Sequence, residues 1–392
     1  MFGYGAVAVI LVLYLAALGF NGFQIGLLLS LTLAGDTLLS LWLTTRADRL
    51  GRRRVLAIGA LLMTAAGAIF GVAGAFPVLL LAATIGVISP SGNEVGPFLA
   101  VEQASLSQTL PGARRTSVFA WYNLVGSVAT AVGALVAGSV VSALRDRGFP
   151  ELDSYRVVVL GYALLGLAMA GLFQVVSPAV EAAAEDAGDP SIRRRLGLGR
   201  SRGVVTRLAA LFTLDALAGG LVMQSLLAYW FHVRFGVPAA TLGAIFFGAN
   251  LLAAASALAA ARIAARIGLI NTMVFTHLPS NVLLIAVPLM PTLPLAVVVL
   301  LARFSISQMD VPTRQSYTMA VVEPDERSAA AGVTGIARSI GAAVGSAIAG
   351  PLVAVPALAG SLFFLGGGLK IVYDLALWRA FRARPAPEDP SR

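Results

Sequence analysis

The sequence predicts an all-α membrane protein with twelve transmembrane helices, arranged as two parallel-repeat six-helix bundles around a central cavity. Three observations lead to this fold class. Hydrophobic residues make up 58% of the 392-residue chain and charged residues only 12%, and the mean hydropathy is +0.86. The apolar residues recur in runs of roughly 18–25, which are long enough to cross a bilayer as helices. The two halves of the chain also resemble each other.

Twelve apolar runs follow one another along the chain, and they are numbered here as spans 1 to 12. They cover residues 2–20, 24–45, 55–74, 78–107, 115–142, 156–177, 204–232, 239–261, 271–291, 293–322, 327–356 and 358–380. The segment between spans 6 and 7 is acidic, then basic, and it contains Pro and Gly. We therefore expect an N-terminal six-helix bundle at 1–177, a cytoplasmic linker at 178–203, and a C-terminal bundle with a short cytoplasmic tail at 204–392.

The arginines of the loops indicate the side of the membrane on which each loop lies. Alternate loops and the C-terminal tail carry most of them, whereas the opposite loops carry only Arg145, Arg147, Arg156 and Arg234. Because cytoplasmic loops are enriched in Lys and Arg, both termini and the linker are predicted to be cytoplasmic. The net charge of +9 then reflects membrane topology, and we expect no nucleic-acid partner.

An internal repeat relates the two halves. At a shift of 212 residues, segment 114–138 aligns with segment 326–350, and Gly133 meets Gly345. Spans 1–6 therefore repeat in parallel as spans 7–12, a transporter design that places the solute site where the repeats meet. By the same alignment, the start of span 7 corresponds to a position about eleven residues before Met1, so either span 1 is unusually short or the chain start has been trimmed or misassigned. The small residues of span 5, including Gly133 and Gly138, are predicted to serve close helix packing.

The loop between spans 2 and 3 carries a motif, TTRADRLGRRRVL, at residues 44–56. It resembles the G-x-x-x-D-R-x-G-R-[RK]-[RK] signature of the major facilitator superfamily, with Thr44 where the first glycine belongs. The matching residues are Asp48, Arg49, Gly51, Arg52 and Arg53. The resemblance implies secondary active transport by alternating access, in which Asp48 docks near the start of span 11 and latches the two halves. The gating candidates of this loop are Asp48, Arg49, Gly51 and Arg52.

Several ionisable residues lie inside the spans, where a charge costs about 3 kcal/mol or more unless it has a partner or a watery cavity. Span 4 carries Glu94 and Glu102 on one helical face, and its Pro and Gly residues at mid-depth predict a kink or a local unwinding. Span 10 carries Arg303, Asp310 and Arg314 on one face. These two spans thus present opposed charges.

The family resemblance implies that spans 1, 4, 7 and 10 line the central cavity. The candidates for binding solute or protons are therefore Glu94, Glu102, Asp310, Arg314, Arg303, Asp215 and Gln315. Among the carboxyls, Glu94 is the better proton carrier if Arg314 holds Glu102 or Asp310 ionised. The alternative is a static network of ion pairs that rigidifies the helices.

Other charged residues lie on spans 2, 9, 11 and 12. Asp36 and Arg338 lie on spans 2 and 11, which are neighbours in the superfamily, so a pair between them would be either a gate or a scaffold. Lys370 and Asp374 are four residues apart on span 12 and are expected to pair with each other. His277 on span 9 is expected to serve packing.

These observations predict a secondary active transporter and not an enzyme. No cofactor or metal is expected, since the chain lacks cysteine and a G-x-x-x-x-G-K-[ST] loop. The first hypothesis is proton-coupled efflux of small organic or amphipathic compounds. The alternative is proton-coupled symport of a small polar or anionic metabolite that Arg303 and Arg314 would bind, and a non-transporting membrane receptor is the third. We expect a monomer in a bacterial inner membrane, with a small-molecule substrate, protons and the lipid bilayer as its partners.

Overall fold

The computed structural model describes residues 1–92, 96–109, 112–177, 180–181, 199–323 and 326–383, and the regular structure of these residues is helical. Helices α1 to α8 span Phe2–Ala17, Gly22–Thr44, Ala47–Leu50, Arg52–Val72, Phe76–Ile85, Phe98–Thr109, Gly112–Asp146 and Glu151–Val175. Helices α9 to α17 span Arg202–Leu221, Gln224–Phe235, Ala239–Ile267, Leu269–Ala286, Leu293–Phe304, Asp310–Ala320, Arg327–Ala354, Pro356–Ala359 and Ser361–Phe381.

Many of these helices are long and apolar enough to cross a membrane. Nine such helices occur in the described ranges, counting α9 and α10 together, and three shorter apolar helices accompany them: α1, α5 and α13. A helix satisfies its own backbone hydrogen bonds, which hydrocarbon cannot do. The prediction of an all-α, multi-pass membrane protein is confirmed.

Span 4 is interrupted in the middle of the membrane-length run. It consists of α5 and α6, which are separated by residues 86–97, and the described part of this segment is not helical. Gly92 and Gly96 both have φ of +79°, a conformation that side chains other than glycine rarely adopt. The predicted unwinding of span 4 is confirmed. Spans 7 and 10 are also interrupted, at residues 222–223 and 305–309, which the sequence analysis does not predict.

The chain divides into two compact units. Unit 1 combines the described parts of residues 1–188 with residues 223–247. Within it, α1 packs against α7, α8 and α10, α2 packs against α5, and α4 packs against α8. Glycines permit the closest approaches: a Cβ on Gly133 of α7 would overlap the carbonyl oxygen of Phe2, and one on Gly138 would overlap that of Ala239. Close packing by the small residues of span 5 is confirmed at both glycines.

Unit 2 combines the described parts of residues 189–222 with those of 248–392. In it, α9 packs along α15 and α17, and α12 packs along α14 and α17. A Cβ on Gly220 of α9 or on Gly345 of α15 would overlap a carbonyl oxygen of the neighbouring helix. Buried aromatic rings, including Phe212, Tyr317 and Tyr373, fill the space between α9, α14 and α17. This packing sets charged residues from α9, α14, α15 and α17 side by side.

Candidate functional site

Asp215 on α9 is a buried carboxylate that binds three cationic side chains from three other helices. Its Oδ2 accepts hydrogen bonds from Arg314 Nη1 at 3.2 Å and from Arg338 Nη1 at 3.1 Å, and its Oδ1 lies 2.6 Å from Lys370 Nζ. Asp215, Arg314 and Lys370 are buried, whereas the side chain of Arg338 is 35% exposed. These four residues are called the Asp215 cluster below. The contact with Lys370 has the short geometry of a charge-assisted hydrogen bond, and the two arginine contacts are longer ion pairs.

Asp310 and Arg303 extend this group of charges to the interruption of span 10. Asp310 Oδ2 accepts a hydrogen bond from Arg314 Nη1 at 2.8 Å, one helical turn away. Arg303 in the last turn of α13 is buried, and its guanidinium lies 4.9 Å from the ring centroid of Phe304. Its Nε has no hydrogen-bond partner within the described part of the chain. Leaving a buried donor unsatisfied costs about 1–3 kcal/mol, so this position favours a ligand that accepts hydrogen bonds.

The charged side chains of this region are four cations and three carboxylates. Arg303, Arg314, Lys370 and the partly exposed Arg338 are cationic, and the carboxylates of Asp215, Asp310 and Asp374 oppose them. Buried charges interact more strongly than charges in water because the surroundings screen them less. Guanidinium groups bind carboxylates and phosphates with two parallel hydrogen bonds. Arg303, whose Nε has no partner among the described residues, is the guanidinium of this region that could still make such hydrogen bonds. Across the described residues, no three His, Cys, Asp or Glu side chains converge to hold a metal ion.

A second buried group of polar side chains lies between α12 and α17. His277 Nδ1 lies 2.8 Å from Asp374 Oδ1, and Asn281 Nδ2 donates to Asp374 Oδ2 at 2.9 Å. His277, Asn281 and Asp374 are all buried. The expected pair between Lys370 and Asp374 is wrong, because Lys370 binds Asp215 and Asp374 is held by His277 and Asn281. His277 therefore has a polar partner as well as its packing contacts.

Two of the carboxylates predicted on spans 2 and 4 have partners within unit 1. Asp36 Oδ1 accepts a hydrogen bond from the backbone N–H of Gly96 at 2.6 Å, so it holds one end of the interruption in span 4. Glu102 accepts a hydrogen bond from the Tyr122 hydroxyl at 2.6 Å. Glu94 lies outside the described residues. A gate between Asp36 and Arg338 stays a prediction, since each has a partner within its own unit.

The gating candidates of the loop between spans 2 and 3 lie in α3 and at the start of α4. Gly51 precedes α4 with φ of +92°, and the backbone N–H groups of Arg52 and Arg53 donate to the Glu181 carboxylate at 2.6 and 3.2 Å. A carboxylate at a helix N-terminus is favourable because the first N–H groups lack helical partners. The side chains of Asp48 and Arg49 lie outside the described residues, so their gating role stays a prediction. Sequence reasoning missed Glu181, although an acid directly after span 6 was a usable signal.

A similar carboxylate precedes α15 in unit 2. Glu326 accepts hydrogen bonds from the backbone N–H groups of Gly199, Arg200 and Ser201 at 2.7, 3.0 and 2.9 Å. These hydrogen bonds, those from Ser201 first, lower the pKa of Glu326 because they stabilise its ionised form. Glu326 therefore fixes the backbone that leads into α9, just before the helix that carries Asp215.

The predicted solute-binding residues are only partly brought together. Asp215, Arg303, Asp310 and Arg314 form one continuous region of unit 2, whereas Gln315 is exposed. Sequence reasoning named Arg338 only as a gating residue and assigned Lys370 to the wrong partner. An acid in span 7 with two cations in spans 11 and 12 was the available signal, but the spacing along one helix could not show which helices are neighbours.

Buried ion pairs inside a bundle of apolar, membrane-length helices are typical of polytopic membrane transporters. The sequence profile described as Major Facilitator Superfamily matches residues 1–346, and the chain belongs to this family. The resemblance found at the motif of residues 44–56 is thereby confirmed, and family membership indicates a transporter and not an enzyme.

Three known proteins illustrate the similarity. An uncharacterized membrane protein of Saccharomyces cerevisiae is 30% identical over an alignment of 405 residues that covers 96% of this chain and 90% of that protein. The crystal structure of the nucleoside transporter NupG superposes with a TM-score of 0.75 at 15% identity, covering 97% of this chain and 96% of that one. A crystal structure of a D-xylose-proton symporter gives a TM-score of 0.73 at 14% identity, covering 99% and 95%. These two structural similarities show that the chain has the same fold as these transporters.

Proposed function

We propose that this protein is a secondary active transporter of small anionic solutes, and that the solute binds beside Arg303 and the Asp215 cluster. The observation that carries the proposal is the buried guanidinium of Arg303, whose Nε has no hydrogen-bond partner among the described residues. A buried charge needs a compensating partner, and an anionic solute would supply one. This function corresponds to the predicted symport of a small polar or anionic metabolite.

Several finer features belong to the same proposal. We infer twelve spans in two repeated six-helix bundles, cytoplasmic termini, alternating access driven by protons, and a monomeric state. The internal repeat and the distribution of loop arginines support the arrangement and the topology. The bacterial inner membrane stays the proposed location, and the yeast relative is also a membrane protein.

The second candidate function is proton-coupled efflux of small organic or amphipathic compounds. Aromatic rings next to the cations favour it: the guanidinium of Arg314 lies 5.6 Å from the ring centroid of Phe212, and that of Arg303 lies beside Phe304. An anion with an apolar body could contact both the rings and the guanidinium groups. The two candidates therefore differ in the direction of transport more than in the chemistry of the site.

Uptake by reconstituted protein tests both candidates. Proteoliposomes are loaded at one pH and diluted into another, and the entry of radiolabelled lactate, succinate, inorganic phosphate and benzoate is compared with that of xylose and adenosine. We expect at least one anion to accumulate and the neutral solutes not to. Accumulation driven by an inward proton gradient indicates symport, and accumulation driven by an outward one indicates antiport and hence efflux.

A matched pair of arginine variants tests the site. Arg303→Gln should lower anion uptake about tenfold or more, because truncating one partner of a buried charge pair costs 2–5 kcal/mol in binding. Arg145→Gln, which removes an exposed arginine at the end of α7, should leave uptake unchanged. Transport of neutral solutes alone, or equal uptake by the two variants, would contradict the proposed function.

A further inference from the structure

The pair formed by His277 and Asp374 is a buried ionisable group that anion binding does not use. Asp374 is 0% exposed and His277 is 4% exposed, and Asn281 supplies the second hydrogen bond to the carboxylate. Within the described part of unit 2, His277 is the side chain at ion-pair distance from Asp374. A buried carboxylate is costly without a countercharge. Protonation of His277 supplies that countercharge, and deprotonation removes it.

We propose that the His277–Asp374 pair is the proton-binding site of the transport cycle, and that Lys370 couples the protonation of this pair to the net charge of the Asp215 cluster. This inference rests on the proposed function, because it describes how protons would control anion binding. Histidine is the side chain whose charge ordinarily changes near neutral pH, so it suits a site that must gain and lose a proton in each cycle.

Lys370 connects the two sites through its position on α17. It lies one helical turn before Asp374, and its ammonium group binds Asp215 Oδ1 at 2.6 Å. Residues four apart on a helix are close enough for their side chains to meet. The ammonium group of Lys370 attracts both carboxylates, so Asp215 and Asp374 compete for one cation. The charge of His277 decides how strongly Asp374 competes.

The sign of the coupling follows from this competition. When His277 is protonated, Asp374 is neutralised and Lys370 stays on Asp215, so the Asp215 cluster keeps all three of its cations. When His277 is neutral, Asp374 draws Lys370 away, and the cluster loses one positive charge. The anion should therefore bind more tightly to the protonated protein. Joint binding of a proton and an anion is the requirement for symport.

Other ionisable groups near the pair fit this scheme. The helices packed against α12 and α17 also carry the Asp215 cluster, Asp310 and Arg303, and the phenols of Tyr317 and Tyr373. Aspartates and arginines keep their charge and tyrosine phenols stay neutral near pH 7 in their ordinary states.

The composition of the chain permits a direct test by NMR. The sequence has two histidines, His232 and His277, and Lys370 is its single lysine. In the His232→Gln protein, labelled histidine and labelled lysine each give one side-chain signal, from His277 and Lys370 respectively. The full chain is placed in lipid nanodiscs and titrated without any solute. We expect the His277 signal to change between about pH 5 and 8, and the Lys370 signal to change with the same midpoint.

Two variants separate coupling from a general effect of pH. Asp374→Asn removes the carboxylate that competes for Lys370, so the Lys370 signal should lose its dependence on pH. Asp153→Asn removes an acid that is 49% exposed and pairs with Arg156 in unit 1, so it should preserve the coupled titration. A His277 signal that is constant across this range, or a Lys370 signal that ignores the titration of His277, overturns the inference even if Asp374→Asn fails to fold.

Anion binding then distinguishes failure of the inference from failure of the proposed function. For whichever of lactate, succinate, phosphate or benzoate the proteoliposomes accumulate, affinity should fall about 5- to 150-fold as His277 loses its proton, the usual range of coupling between sites. Coupled NMR signals without transport of any anion would support the proton site and refute the proposed function. Anion transport with uncoupled signals would refute the proton site and leave the proposed function intact.

Discussion

Replacing Asp215 with Asn should destabilise the protein strongly, because one carboxylate holds three cations in unit 2. Removing one partner of a buried ion pair costs about 3–5 kcal/mol. The cost is shared unequally among the cations. Arg314 keeps Asp310 at 2.8 Å, and Arg338 depends less on Asp215 because its side chain is 35% exposed. While His277 holds Asp374, as in the structure, the buried Lys370 loses its ion-pair partner, so we expect a loss of about 3 kcal/mol that comes mainly from the stranded ammonium group.

A second substitution tests whether Lys370 is the source of the cost. Methionine at position 370 fills a similar volume without charge, and replacing buried ion pairs by apolar residues is often neutral. The double variant Asp215→Asn with Lys370→Met should therefore recover all but about 1 kcal/mol of the wild-type stability. The free energy of unfolding is measured by SDS titration in mixed micelles, and the variants form a double-mutant cycle.

An exposed ion pair provides the control for this cycle. Asp153 and Arg156 lie 3.2 Å apart with side chains 49% and 30% exposed, so Asp153→Asn should cost at most about 1 kcal/mol. If Asp215→Asn costs no more than Asp153→Asn, the three contacts of Asp215 do not stabilise the fold. If the double variant is less stable than Asp215→Asn alone, the stranded ammonium group is not the source of the loss.

Two further predictions concern packing and the loop that leads into α9. Gly35→Ala should destabilise unit 1 by about 1–3 kcal/mol, because the new Cβ would overlap the Thr84 carbonyl oxygen of α5. The control Gly171→Ala should not destabilise it, because a Cβ at position 171 meets open space. Thermal unfolding of both variants measures the difference. Glu326→Gln should lower the melting temperature more at pH 7 than at pH 3. The pKa of Glu326 is lowered on folding, so its contribution is present above the ordinary glutamate pKa of about 4.3 and is lost as the pH falls below it. An equal difference in melting temperature between wild type and variant at both pH values would contradict the stabilising role of the ionised Glu326 carboxylate.

Composition and periodicity predict much of this fold, because a bilayer leaves few alternatives to apolar helices. The interruption of span 4 is also predictable, since it contains Pro90 and Pro97. The interruption of span 10 is harder, because residues 305–309 contain neither Gly nor Pro; Pro312 in the first turn of α14 was the available signal for a new helix start.

The sequence predicts that charged residues inside the spans have partners of opposite charge, but it does not predict which residues form each pair. Lys370 and Asp374 are neighbours on one helix, and such a pair contributes only about 0.2–0.5 kcal/mol on its own. Burial against α9 and α12 outweighs that local preference, because Asp215 offers Lys370 a contact at 2.6 Å and His277 offers Asp374 one at 2.8 Å. Spacing along a single helix carries no information about which acid a neighbouring helix presents.

The interruptions of spans 4 and 10 differ in how their polar groups are satisfied. Around span 4, the Tyr162 hydroxyl donates to the carbonyl of Val87, the N–H of Ser225 donates to that of Pro90 at 3.2 Å, and Asp36 accepts from Gly96. Non-helical backbone at membrane depth is tolerated when protein groups bind it in this way.

At span 10 the backbone N–H of Gln308 likewise donates to the Ser256 hydroxyl at 3.2 Å. However, Arg303 Nε and Ser307 Oγ are buried there without hydrogen-bond partners among the described residues. A positively charged donor without an acceptor is costly in a buried site, so it is retained where a ligand can satisfy it. Under the proposed function, the interruption of span 10 is the place where a solute would complete the hydrogen bonding.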